Sequence, residues 1–342
     1  MGTDPLSRAQ ASRLFDQVRG GSNEVLGVLE GAPVLFVDLD QGDEALTGVP
    51  DLLPCLVVGT GSTATEADLI GLDLVLTEEP SPGSIDHLDL AEAGRLVLEA
   101  AEASPVAAVV LAQILRSGEH RDEPGDLLYE SLAYSALQAS EVFQSWLDTR
   151  PDPKEDVVAE GHELVLIDRV GDEVFLTLNR PERRNALGAK LRDALCAALI
   201  DASADPTVSM IHLAGAGPAF SAGGDLNEFG TAPDGGFAHL VRATRSAGLH
   251  VAAQRHRLTC HVHGACVGAG IELPAFAGEV LAAPDAFFRL PEVAMGLIPG
   301  AGGTVSIPRR IGRHRTNWLG ISGASINVDV ALDWGLIDFI EL

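Results

Sequence analysis

The stretch CHVHGACVGAGIELPAFAGEVLAAPDAFFRLPEVAMGLIPGAGG, residues 260–303, decides how the rest of the chain is read. A strand signal at Leu258–Val262 runs into a turn whose glycines, Gly264, Gly268 and Gly270, open an apolar helical run. Glycines at a helix start let a ligand approach the backbone and leave free N–H groups facing it. The run carries one carboxylate, Glu272. A second apolar segment presents another, Glu292, directly after Pro291, and Pro299 to Gly303 closes the stretch as a turn. Carboxylates in apolar surroundings have tunable proton affinities, so the segment predicts acid–base chemistry on an oxygen-bearing group. A glycine-rich core helix with two solvated glutamates is the competing reading. It ranks second because another N–H-presenting loop, GAGPAFSAGGDL at 215–226, lies upstream.

Composition bounds the rest. The chain has 342 residues, 46% hydrophobic and 5% aromatic, enough for two domains with cores built on Ala, Leu and Val. No apolar run reaches the ~18 residues of a bilayer span, and MGTDPLSRAQ does not have the shape of a signal peptide, so a cytoplasmic location is expected. Cys55, Cys196, Cys260 and Cys266 form no CxxC pair and are expected as buried thiols, with no metal site. The net charge of −26 is uneven. Residues 1–160 hold 8 Lys and Arg against 30 Asp and Glu, while residues 161–342 hold 15 against 19. That acidity argues against nucleic acid or an anionic membrane as partner.

Along the chain, 6–20 predicts an amphipathic helix, and strand-like runs follow at 33–38, 55–59 and 72–77. A helix is predicted over 90–103, with Asp89 as its N-cap. Periodicity leaves 105–116 open between strand and helix. Leu128, Leu132, Ser135, Ala139, Val142, Phe143 and Trp146 recur at three- and four-residue spacing and predict one amphipathic helix over 127–147. The segment 148–160, with two prolines and alternating charge, reads as a linker. The domains are therefore 1–150, a linker at 151–160, and 161–342. The second half predicts a hairpin of strands 163–168 and 173–178, a helix over 187–202, a strand at 209–214 and a helix over 236–254. Strands alternating with helices give an α/β class. Strand, glycine loop, helix, apolar stretch and helix recur in the same order in both halves, which raises a decayed internal duplication.

Taken together, LTLNRPERRNAL (176–187), AFSAGGDL (219–226), GACVGAGIEL (264–273), FRLPEVAMGLIPGAGGT (288–304), IPRRIG (307–312) and ALDWGLID (331–338) resemble the enoyl-CoA hydratase/isomerase, or crotonase, superfamily. The resemblance covers about half of the chain and leaves 1–150 unassigned. It implies a ββα spiral core that binds an acyl-CoA thioester as a homo-oligomer, with coenzyme A as part of the substrate and no other cofactor. The family's oxyanion N–H groups fall on Ala222 and Ala269, where backbone donors would stabilise a developing enolate oxygen. Its two glutamates fall on Glu272, expected to deprotonate water, and Glu292, expected to deliver the Cα proton. Contacts with substrate and CoA are expected from Arg183, Arg184, Ala186, Ser221, Gly223, Gly224, Asp225, Leu226, Gly268 and Gly270.

The departures from the family pattern carry expectations of their own. Pro274 stands two residues after Glu272, where the family continues a regular helix, and is expected to kink it. The chain stops after GLID, where family members add helices that close the acyl pocket and build a trimer. Residues 1–150 are therefore expected to pack over the core, covering it with Leu132, Val142, Phe143 and Trp146 of the 127–147 helix. The function expected is hydration of a 2-enoyl-CoA. Isomerisation, thioester hydrolysis, decarboxylation, C–C cleavage and cofactor-free oxygenation remain open on the same scaffold, as does a non-catalytic acyl-CoA-binding partner subunit.

Overall fold

Strands β3 (Leu56–Gly61) and β4 (Leu74–Thr77) send alternate side chains into two cores. Leu56, Val58, Leu74 and Leu76 face one, and Val57 and Val75 the other. Burial on both faces explains their unbroken apolar runs. With β1 (Leu6–Ser7) and β2 (Val34–Asp38) they form a parallel sheet in the order β1-β2-β3-β4. The computed structural model describes residues 5–21, 27–28, 31–42, 44–86, 88–118, 122–151 and 161–341. The expected linker at 151–160 lies almost wholly outside the described residues.

Helix α1 (Arg8–Arg19), capped by a Ser7–Gln10 box, covers one face of this sheet with Phe15, and α2 (Glu66–Leu69) is a single turn. On the other face lie α3 (Leu90–Ala103), capped by Asp89 as expected, and α4 (Pro105–Ser117). The undecided run 105–116 is therefore helical throughout. Proline at its first position presets the helix, and burial of Ala107, Ala108, Leu111 and Ala112 outweighs the β-branched valines. The internal duplication fails at this element, because the order asks for a strand where α4 stands.

The single helix predicted over 127–147 is two, α5 (Glu123–Leu137) and α6 (Glu141–Thr149). Ser140 takes an extended backbone between them, and its hydroxyl caps α6 by accepting the Phe143 N–H at 3.3 Å. The face turned inward also differs from the expectation. Leu128 and Leu132 are 48% and 50% exposed, while Asp126, Glu130, Ser131 and Tyr134 are buried.

The second half is built on a six-stranded sheet in the order β13-β10-β8-β7-β6-β5. The hairpin β5 (Val165–Val170) and β6 (Glu173–Leu178) is antiparallel. Parallel strands β7 (Met210–Gly215), β8 (Leu258–Val262), β10 (Glu279–Ala282) and β13 (Phe339–Ile340) complete it. A smaller sheet joins β9 (Ala265–Val267), β11 (Phe287–Arg289) and β12 (Ile326–Asn327). Helix α7 (Ala189–Ala204) packs on β5 and β6. The helix predicted over 236–254 is α8 (Gly235–Thr244) and α9 (Ala247–Ala253), parted where Ser246 caps α9. A one-turn helix α10 (Ala269–Glu272), then α11 (Gly303–Ser322), broken at Gly312, and α12 (Val328–Trp334) complete the fold. Among the described residues no single helix is long and apolar enough to cross a membrane.

The two halves meet on α11. Leu111 of α4 packs on Gly320, the Arg313 guanidinium donates to Leu69 O at 2.7 Å, and Asn317 Nδ2 donates to Asp73 O at 3.1 Å. One hydrophobic core runs through both halves without interruption. Its polar anchor is Asp73, fully buried, which accepts from Arg116 Nε at 2.7 Å and from the Val57 N–H at 2.7 Å. Arg116 holds its carboxyl below the usual range although burial pushes the other way. Asp73→Ala would strand the buried Arg116 charge. Urea denaturation should show a loss of about 3–5 kcal/mol, whereas Arg95→Ala at the exposed Arg95–Glu99 pair should change stability by less than ~1 kcal/mol.

Candidate active site

The loop 219–226 is stitched to the strand that leads into α10. Phe220 N–H donates to His263 O at 2.8 Å, Ser221 N–H to Ala265 O at 3.2 Å, and Val267 N–H to Ser221 O at 3.1 Å. Only glycine fits two of these close approaches. A Cβ on Gly270 would lie 2.3 Å from Ser221 O, and one on Gly268, whose φ is +50°, would lie 2.4 Å from Glu292 Oε1. This packing sets Ala222 and Gly223 beside the start of α10. Ala269 is the first residue of that helix, so its N–H has no partner within the helix and points out of its positive end.

The expectation of two open oxyanion donors needs correction at Ala222. Its N–H donates to Arg184 O at 2.9 Å. Arg184 and Asn185 both take left-handed backbone conformations, φ 51° and 52°. The fully buried Asn185 holds them there, its amide donating to Ala216 O, Ala219 O and Phe220 O at 2.9–3.0 Å. Asp225 is likewise engaged, paired with buried Arg180 at 2.7 Å and accepting the Asn227 N–H. The Ser221 hydroxyl donates to Asn185 O at 2.8 Å. These three residues lock the two loops together and leave little for a substrate to bind. Asn185 was not among the expected site residues, although it sits inside the LNRPERRNAL motif.

A cavity of about 360 Å³ opens next to α10. Glu272, Glu292, Ala269 and Gly224 line it from the second half, and Glu130 and Tyr134 of α5 line it from the first. Arg183, Arg184 and Ala186 lie on the neighbouring loop and do not line it, and exposed Leu226 is also outside. Pro274 opens a 3₁₀ turn, so α10 stops after one turn, and the Ser306 hydroxyl holds its end by donating to Glu272 O at 2.7 Å. Glu272 Oε2 accepts from the Ala301 and Gly303 N–H groups at 2.7 and 2.9 Å. Glu292 begins the 3₁₀ turn 292–295, and its buried Oε2 has no hydrogen-bond partner among the described residues.

Glu130 and Tyr134, one helical turn apart, are the residues that sequence reading missed. Glu130 is 2% exposed, and the Tyr134 ring lies against Gly300. The Arg242 guanidinium sits 4.4 Å above that ring. Burial raises the proton affinity of all three carboxylates. Glu272 is pushed to about 7, with its two backbone donors opposing the shift. Glu292 is raised well above its usual value by burial and then by the Glu272 charge. Burial also raises the Tyr134 phenol, so it is neutral and a hydrogen-bond donor at pH 7. A site with one carboxylate poised near neutrality and another held protonated can pass protons in both directions.

Residues 174–341 match the sequence profile of the enoyl-CoA hydratase/isomerase family. The 2,3-dehydroadipyl-CoA hydratase of Escherichia coli K12 is 34% identical over 174 residues, which is 51% of this chain and 67% of that protein. A probable enoyl-CoA hydratase of Rhizobium meliloti is 34% identical over 178 residues, 52% of this chain and 68% of that protein. The 1,2-epoxyphenylacetyl-CoA isomerase of E. coli K12 is 36% identical over 167 residues, 47% of this chain and 63% of that protein. The chain thus spans about two thirds of the length of these relatives, and the family match does not extend into residues 1–173.

Gly268→Ala should lower turnover by on the order of 10²-fold by displacing Glu292, and the strained backbone at 268 should also lower the melting temperature by a few degrees. Steady-state kinetics beside thermal denaturation would check this. Unchanged turnover would mean that the Glu292 position does not matter.

Proposed function

We propose a function from one premise: the chain belongs to the enoyl-CoA hydratase/isomerase family. It hydrates a 2-enoyl-CoA thioester. The observation that carries this reading is the pairing of Glu272 and Glu292 on one cavity, beside the helix start at Ala269. Glu272, ionised, takes a proton from water as the water oxygen bonds to Cβ. The alkene electrons move through Cα into the thioester oxygen, which the Ala269 N–H stabilises. The Ala222 N–H joins it by exchanging Arg184 O for the substrate oxygen. Glu292, protonated, then delivers its proton to Cα, and the product is a 3-hydroxyacyl-CoA. Burial raises both groups, leaving Glu272 poised at about 7 and Glu292 well above its usual value, which supports this division of roles. The family profile, which takes in isomerases as well as hydratases, favours one second reading, double-bond isomerisation, which needs a single base.

The test is incubation with a panel of 2-enoyl-CoA esters, following loss of the conjugated thioester absorbance and gain of one water by mass spectrometry. Glu272→Gln and Glu292→Gln should each lower kcat at least ~10²-fold, while CoA-ester affinity stays within a few-fold. Full activity in Glu272→Gln would turn the assignment to single-base isomerisation. The pH response follows from the base. Glu272 works only when ionised, so kcat/KM should rise with pH through about 7 and fall away below it. A flat profile from pH 5 to 8 would remove Glu272 from that role.

A further inference from the structure

Helix α5 brings into the site a carboxylate from outside the family match. Glu130 Oε1 accepts the Gly302 N–H at 2.9 Å, and Oε2 accepts the Thr304 N–H at 3.0 Å and its hydroxyl at 2.7 Å. Glu272 takes the two N–H groups between and before these, Gly303 and Ala301. The donors of four successive residues thus alternate between the two side chains. They stand at the N-terminus of α11, whose capping residue, Gly302, has no side chain with which to cap it. Glu130 supplies that cap from a position 172 residues earlier. Because alternate peptides of one short run bind the two carboxylates, displacing either moves the donors of the other.

We propose that Glu130 is a positioning residue for Glu272: it fixes the 301–304 turn that holds Glu272 and, by sharing that run of donors, couples its own ionisation to that of Glu272. The proposal deepens the hydratase reading and, for its effect on turnover, rests on it. The ionisable groups facing Glu272 are Glu130 and Tyr134 from α5 and Glu292 from the 292–295 turn. The cations nearby are Arg242 of α8, over the Tyr134 ring, Arg192 and Arg245 on the wall of the same cavity, and Arg289 beyond Glu292. Three donors bind Glu130, two bind Glu272, and Glu292 Oε2 has none. Burial nevertheless pushes Glu130 up to about 8, with the Glu272 charge adding to the shift, so Glu130 and Glu272 titrate as a coupled pair. In such a pair the second ionisation is disfavoured by the first, so removing the carboxyl at 130 frees Glu272 to titrate alone.

Two variants of the full chain separate charge from position. Glu130→Gln keeps the shape and removes the charge. Glu130→Asp keeps the charge on a side chain too short to reach both Gly302 and Thr304. The Glu272 carboxyl is followed by ¹³C-glutamate NMR against pH, assigned by the signal lost in Glu272→Gln, which reads the group whether or not the protein turns substrate over. Glu130→Gln should lower the Glu272 midpoint by on the order of one pH unit and move the acid limb of kcat/KM by the same amount. Glu130→Asp should leave the midpoint near wild type and lower kcat ~10–100-fold with KM little changed.

A midpoint unmoved in Glu130→Gln overturns the coupling part even in an active hydratase. If that variant does not fold, unchanged kcat in Glu130→Asp overturns the positioning part. A midpoint that shifts in a protein inert toward every CoA ester supports the proposal and overturns the hydratase reading alone.

Discussion

The N-terminus of α11 holds the two halves of the protein in one arrangement. A helix start exposes N–H groups that must find acceptors, and here the capping residue is glycine. Two carboxylates meet that demand, Glu272 from the strand-to-helix turn of the second half and Glu130 from the first half. Further along the same helix, Arg313 and His314 reach the Leu69 carbonyl and Asn317 reaches the Asp73 carbonyl. Trp318, fully buried, and Gly320, against Leu111, close the apolar seam. One helix therefore carries the catalytic turn at its start and the inter-half anchor at its middle, and a shift of one is felt by the other.

Three carboxylates around one cavity would be unstable if all were charged, since moving an unpaired carboxylate out of water costs several kcal/mol. The structure deals with each in its own way. Glu130 has a full set of donors at a helix dipole, and Glu272 has donors on one oxygen and leaves the other open. Glu292, with its Oε2 unpartnered, is stable as the neutral acid. Hydrogen bonding to the three carboxylates thus falls off across the cavity from Glu130 to Glu292.

Local signals made much of the fold legible. Strands 173–178 and 258–262 and helix 90–103 fall within the bounds read from alternation and from the Asp89 cap. The α10 region was legible as well, because glycine spacing there reflects contacts with a loop only some 45 residues away. The inward face of α5 was not. Its apolar stripe, with Leu128 and Leu132, points outward, and the face with Glu130 and Tyr134 is buried because the acceptor-hungry end of α11 lies against it. Helix periodicity carries no information about such a partner. The same holds for Ala222, whose N–H is taken by a carbonyl that Asn185 fixes through three long-range bonds. The breaks at Ser140 and Ser246 were readable in principle, since both serines precede helical runs that they cap.

The separation of 172 residues between Glu130 and Gly302 also bears on how the chain is made. At ribosomal speeds of about 5–20 residues per second, α5 waits roughly 10–30 s before its acceptors' donors are synthesised. During that interval the surface that will meet α11 is exposed to water. A carboxylate at its centre keeps it solvated, where a leucine would invite premature association. The cavity, walled by α5 on one side and residues 300–302 on the other, is complete only once the chain beyond residue 302 has emerged.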